Sequence, residues 1–234
     1  MYEFKKFDIE KIINKSILII GRSATGKTTL IKDFIHGNLQ RYKTNNNLVF
    51  ATSIGRGYDV GKYLDDHIIK ENYISTEYNG NKINEHITKN DKENTYIILD
   101  GVIHNNKIFE TDISLQKIQY NCRQYYITSI ITQQYPLQMT PEYRENFDFI
   151  ILFDVGMISS VKKIYEYYGG PFPSFDIFYK FFKEFTSDHG CMIIDNTVKH
   201  INNSDFIYWY KVDINKYDKS KNKITQQNIL YSKL

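Results

Sequence analysis

The chain is poor in cysteine, proline, alanine and arginine, and each shortage excludes something. Its only cysteines are Cys122 and Cys191 among 234 residues. Two thiols make neither a disulfide framework nor a four-ligand zinc site, so both are expected to be small buried apolar side chains. Four Pro and 12 Gly exclude a low-complexity linker protein or a collagen. Long hydrophobic runs are missing: stretches such as Ile17–Ile20 and Phe149–Phe153 fall far short of the roughly 20 residues that span a bilayer. The opening Met1-Tyr-Glu-Phe-Lys-Lys6 has no apolar signal core and no small-residue cleavage site. A soluble, cytoplasmic, non-secreted protein is expected. Charge of one sign is also lacking. The net balance of +3 permits contact with nucleic acid without arguing for it.

Ala24 and Ala51 are the only alanines, and Arg22, Arg41, Arg56, Arg123 and Arg144 are the only arginines among 30 basic residues. Lys, Asn, Ile, Tyr and Phe fill the remainder. All five have A/T-rich codons, which points to an A/T-rich genome and makes each retained Arg and Gly more informative.

What is present is a series of short apolar runs separated by helix-length segments. Ser16–Ile20, Leu48–Thr52, Thr95–Asp100, Ile127–Thr132 and Phe147–Phe153 read as buried strands. Helices are expected over Thr28–His36 (ended by Gly37), near Val60–Ile69, and over Ile113–Tyr120. Strands alternating with helices imply βαβ crossovers and a mainly parallel sheet. Beyond Phe153 the pattern changes to two amphipathic helices, Ser159–Tyr168 and Phe175–Phe185. Two strands follow, Cys191–Ile194 and Phe206–Tyr210.

Gly21-Arg22-Ser23-Ala24-Thr25-Gly26-Lys27-Thr28 fits G-x-x-x-x-G-K-[ST] and lies between an apolar strand and an amphipathic helix. The glycines let the backbone curl so that successive N–H groups face a phosphate, and the helix N-terminus adds its dipole. The Lys27 ammonium serves the β/γ oxygens and the Thr28 hydroxyl serves Mg²⁺, with Thr29 completing the nucleotide-binding segment. Tyr96–Asp100 supplies a second piece. Its Asp stands at the C-terminal end of a strand, the edge of an open α/β sheet where ligands bind, and Asp100 is a candidate Mg²⁺ carboxylate. No guanine-reading Asn/Thr-Lys-x-Asp stands at a strand end, so ATP is the expected nucleotide.

The stretch from Arg123 to Asn146 adds an Arg before an apolar strand, two amides, Gln133 and Gln134, at its C-terminal edge, and then Arg144 and Asn146. An amide at that edge orients water or senses the γ-phosphate. This ordered set resembles the genome-packaging ATPases of poxviruses, other large DNA viruses and virophages, a branch of the FtsK–HerA superfamily of ring-forming DNA motors. The resemblance runs from about Ser16 to Tyr210 and includes Phe185–Asp195 and Ile207–Tyr210.

The resemblance implies a three-layer α/β, RecA/FtsK-like P-loop NTPase with a C-terminal α/β elaboration. The chain 1–234 would form one ATPase domain, with a core of about 16–153, the elaboration at about 154–213 and a polar tail at 214–234. It implies ATP-driven translocation of double-stranded DNA into a preformed capsid, by a homo-oligomeric ring (a pentamer or hexamer) without a small-molecule acceptor. The ring would meet a capsid-vertex or membrane component of the virion, in the cytoplasmic virus factory or the virion itself. Lys27 and Thr28 carry over as phosphate and Mg²⁺ ligands, and Asp100 as the Mg²⁺ carboxylate. Gln134 carries over as the sensor, with Gln133 as its one-residue alternative. Arg123 carries over as an arginine finger offered to the neighbouring subunit.

One departure stands out. The family has a second acidic residue directly after the Mg²⁺ aspartate, and here that place is Gly101. Glu110 and Asp112 are candidate replacements. Two other classes stay open: a nucleoside or nucleotide kinase, and an ATP-binding assembly switch that hydrolyses poorly. DNA-contacting candidates are Lys62, Lys70 and Lys82, and Lys216, Lys219, Lys221 and Lys223 in the tail.

Overall fold

The computed structural model describes residues 3–42, 46–52, 69–75, 77–89, 93–101, 108, 111–135, 141–198 and 205–213. Nine strands form one sheet: β1 (Lys5–Lys6), β2 (Ser16–Ile20), β3 (Asn46–Thr52), β4 (Ile69–Ser75), β5 (Thr95–Asp100), β6 (Ile127–Gln133), β7 (Phe149–Leu152), β8 (Cys191–Asp195) and β9 (Ile207–Tyr210). Their order across the sheet is β1-β9-β8-β7-β2-β6-β5-β3-β4. The block from β7 to β4 is parallel throughout. β8 runs antiparallel to both β7 and β9, and β1 lies parallel to β9 at the edge. The protein is thus a three-layer α/β P-loop NTPase fold with a mainly parallel sheet.

Strand β2 shows why three layers form. All five of its residues are buried, and successive side chains leave a strand on opposite faces. Ile17 and Ile19 enter one core with Leu30, Ile31, Phe34 and Ile35 of α1 (Lys27–Tyr42). Leu18 and Ile20 enter the other. That second face is covered by Ile83 and Ile87 of α2 (Gly80–Lys89), and by Leu115 and Ile118 of α3 (Ile113–Tyr120). Tyr143 of α4 (Pro141–Glu145), Val161 and Ile164 of α5 (Ile158–Tyr168), and Phe178 and Phe182 of α6 (Phe175–Phe185) complete it. Each such side chain contributes about 1.5–3 kcal/mol of burial. A strand covered on both faces must be apolar at every position, which is the signal its sequence carries.

The first helix does not stop at Gly37 but continues to Tyr42. The glycine has a packing reason: a Cβ there would stand 2.4 Å from Ile9 Cδ1. Asn38 on the next position donates to the Ile9 carbonyl (3.3 Å). The missing side chain therefore admits the N-terminal 3-10 turn Ile9–Ile12 against the helix. The helix expected near Val60–Ile69 falls outside the described residues except at Ile69, which opens β4. The Cys191 and Phe206 segments are paired strands. Both cysteines are free and buried, as expected. No helix among the described residues is long and apolar enough to cross a membrane.

Candidate active site

The strand order puts β6 between the phosphate-loop strand β2 and the Asp100 strand β5. All three are parallel, so their C-terminal ends open on one edge. The loop Gly21–Gly26 is tied to both neighbours of β2. Gly21 N–H donates to the Gln133 carbonyl (3.0 Å), and Arg22 N–H to the Asp154 carbonyl (3.2 Å). Within the loop, Thr25 Oγ1 donates to the Arg22 carbonyl (2.9 Å). Ala24 and Gly26 adopt φ of 62° and 106°. The latter is closed to ordinary side chains and lets the loop curl into the start of α1.

Lys27 Nζ donates to the Gly21 and Arg22 carbonyls, at 2.8 Å each. Burial holds its ammonium below the ordinary lysine range, and the Asp100 carboxylate opposes that shift. Thr28 Oγ1 lies 3.2 Å from Asp100 Oδ2. Thr132 Oγ1 donates to Asp100 Oδ1 (2.6 Å) and accepts from the Gly101 N–H (2.9 Å). Asp100 is thereby fixed from both sides, at only 2% exposure.

These groups line a cavity of about 280 Å³ together with Ser23, Thr29 and Gln134. Of the two amides, Gln134, just beyond the end of β6, lines the cavity beside Thr132, and Gln133 is not among its lining residues. Gln133 is buried at 3% exposure, and its Nε2 has no hydrogen-bond partner among the described residues. Among the described residues, Asp100 is the one carboxylate that lines the cavity. The oxygen pair of Thr28 and Asp100 suits a hard divalent cation that takes its remaining ligands from phosphate and water. No cluster of three or more His, Cys, Asp or Glu exists among the described residues to bind a metal by protein ligands alone.

Other sequence candidates lie elsewhere. Arg123 precedes β6, at the opposite edge of the sheet, where its Nη2 donates to Asp148 Oδ1 (2.7 Å). Strand β6, seven residues long, separates the two edges by about 20 Å at ~3.3 Å per residue. Arg123 therefore cannot serve the phosphates of its own chain. Arg144 lies over the Tyr167 ring, 4.4 Å from its centroid. Asp112 is the N-cap of α3: its Oδ1 accepts from the N–H groups of Ser114 (2.8 Å) and Leu115 (3.2 Å). It is engaged there and does not line the cavity, so it does not replace the acid missing at Gly101. Glu110 lies outside the described residues, as do Lys62 and the tail lysines. Arg22, in the loop itself, pairs with Asp154 (3.2 Å).

Sequence reasoning missed Thr132, His189 and Val212. Thr132 was legible only as a polar residue two before Gln134 on a strand. His189 and Val212 reach the cavity because β8 and β9 return to the same edge, a consequence of topology that no local pattern announces.

No protein-family model matches the chain. It is 28% identical over 238 residues to the uncharacterized protein L437 of Acanthamoeba polyphaga mimivirus, covering 92% of this chain and 79% of that one. It is 27% identical to the uncharacterized protein 075L of Invertebrate iridescent virus 6, covering 84% of this chain and 76% of that one. Among solved structures it matches the genome packaging NTPase B204 of Sulfolobus turreted icosahedral virus 2, in complex with ATP-gammaS, with a TM-score of 0.59 and 16% identity over 86% of this chain and 98% of that one. The DNA-packaging ATPase B204 of Sulfolobus turreted icosahedral virus gives the same TM-score of 0.59 at 20% identity, over 86% and 98% of the two chains. The chain is thus similar in sequence to proteins of large DNA viruses, and its fold is that of the viral genome-packaging NTPases.

Proposed function

We propose that this protein is an ATP-hydrolysing motor that moves double-stranded viral DNA into a preformed capsid. The observation that carries the reading is the convergence of Lys27, Thr28, Asp100 and Gln134 on one cavity at the C-terminal edge of β2, β5 and β6. It occurs in a chain folded like a packaging NTPase. Lys27 and the loop N–H groups hold the phosphates of ATP. Thr28 and Asp100 would hold Mg²⁺, which would supply positive charge against the charge that develops on the phosphates. Thr132 positions Asp100, and Gln134 orients water against the γ-phosphate. Arg123 completes the site of the next subunit, so the working form is a homo-oligomeric ring.

A second reading rests on Gly101, which leaves Asp100 as the only carboxylate lining the cavity among the described residues. A protein that binds ATP and assembles, but hydrolyses slowly, fits that composition. The kinase reading draws no support from the described residues, where no Arg-rich lid stands over the cavity.

The test is product analysis. Incubation with ATP, Mg²⁺ and double-stranded DNA is expected to yield ADP and free phosphate, faster with DNA than without. Phosphate carried on an added nucleoside would identify a kinase instead. ATP-dependent assembly without phosphate release would identify the switch.

A further inference from the structure

The residues that line the cavity come from both sides of the phosphate loop. Lys27, Thr28, Asp100, Thr132 and Gln134 fix the phosphate end on the β6–β5 side of the loop. His189 and Val212 line the cavity on the other side. His189 immediately precedes Gly190 and β8, and Val212 follows β9. With β8 antiparallel and β9 parallel to the central strands, both points fall on the loop's edge of the sheet. A triphosphate held on the first side therefore places its nucleoside on the second. From the presence of these two residues there, and resting on the nucleotide reading above, we infer that His189 and Val212 form the wall against which the base of a nucleoside triphosphate stacks.

The wall is built rather than incidental. Asp188 and His189 are consecutive residues at positive φ (47° and 61°), a conformation that Asp and His tolerate better than most side chains. Gly190 N–H closes the turn onto the Ser187 carbonyl (2.9 Å), and Lys211 pairs with Asp188 across it. The turn is pressed onto the phosphate loop: His189 Cβ and carbonyl oxygen lie 3.5 and 3.6 Å from where a Gly26 Cβ would stand. Tyr210 next to Lys211 donates to Asp33 Oδ2 of α1 (2.5 Å). Burial and that carboxylate push the Tyr210 hydroxyl well above its ordinary range, so it stays a donor. The end of β9, and with it Val212, is thereby fixed to the helix that starts at Lys27.

Among the described residues, the aromatic ring and the valine of this wall present no amide or carboxylate to read base edges. Stacking is tolerant of base identity, whereas a site built on hydrogen bonds to the ligand rejects analogues lacking them by 10⁴-fold or more. ATP and GTP are therefore expected to bind within about 5-fold of each other.

The experiment measures dissociation constants for ATP, GTP and inorganic tripolyphosphate with wild type, His189→Asn and His189→Tyr. Asn keeps the left-handed backbone and removes the ring; Tyr keeps a ring. The expected result is about 10-fold weaker ATP binding by His189→Asn, in line with the loss of one base–aromatic contact. Tripolyphosphate binding stays unchanged, and His189→Tyr restores most of the loss. Equal ATP affinity for wild type and His189→Asn overturns the inference and leaves the proposed function standing. So does equal weakening of ATP and tripolyphosphate, or an ATP preference over GTP above 100-fold. Wild type binding neither ATP nor tripolyphosphate removes the nucleotide reading and this one together.

Discussion

Arg123→Ala is expected to leave ATP affinity unchanged and to slow phosphate release by an assembled ring at least 10³-fold, the scale on which arginine fingers act. The geometry makes this a claim about neighbours. Arg123 and Gln134 stand at opposite edges of the sheet, so a role for the guanidinium in hydrolysis requires a second subunit. In the isolated chain it meets Asp148, which Lys15 also approaches (3.8 Å) and whose Oδ2 accepts from the Ser16 N–H (3.0 Å). The Arg123 side chain is 63% exposed, and pairs of that kind are worth about 0.2–1 kcal/mol. Its loss therefore leaves the fold intact. Asp148→Asn separates the roles: it breaks the same ion pair but keeps the Arg123 guanidinium, and hydrolysis should survive it. Unchanged hydrolysis in Arg123→Ala, with a matching drop in thermal stability in both variants, would make the arginine a structural partner of Asp148 and nothing more.

Lys27→Ala carries the next largest effect. Removing one preorganised charge from a developing phosphate charge costs about 10²–10³ in rate, and binding of ATP weakens with it. Lys27→Met keeps the stem that fills the buried space. It should melt like wild type while still failing to release phosphate, so loss of activity is not loss of fold. The lowered Lys27 ammonium adds a pH signature. A triphosphate raises the affinity of that nitrogen for its proton. ATP binding therefore takes up a proton between the free and bound values, and affinity falls as pH rises through that window. Calorimetry in buffers of different ionisation heat detects the uptake, and Lys27→Met should abolish it. Proton uptake that persists in Lys27→Met assigns it to another group.

The legibility of this molecule followed from how local each signal is. The phosphate loop is one contiguous stretch with a strand before it and a helix after it, so its residues and its edge of the sheet were readable together. The Asp100 strand and the Phe175–Phe185 helix were readable because full burial and 3.6-residue spacing leave plain patterns. Gly37 misled because glycine is read as a helix stop, while here it is kept for Ile9, a partner 28 positions away along the chain. β4 was missed because it lies in a polar, weakly patterned stretch. Which of Gln133 and Gln134 lies beside the cavity needed the path of the chain where it leaves β6, which the sequence does not display. Thr132, His189 and Val212 joined the cavity through pairings between strands distant in sequence. Such pairings set the site without leaving a motif.

The central claim is movement of DNA driven by ATP. The most direct measurement is displacement of a third strand from a linear duplex carrying a short triplex, by assembled wild-type protein with ATP and Mg²⁺, run beside Lys27→Ala. Wild type is expected to displace the third strand in an ATP-dependent way, and Lys27→Ala to displace none. Assembly and ATP binding by wild type with neither displacement nor phosphate release would contradict it, and would leave an ATP-gated assembly subunit in place of a motor.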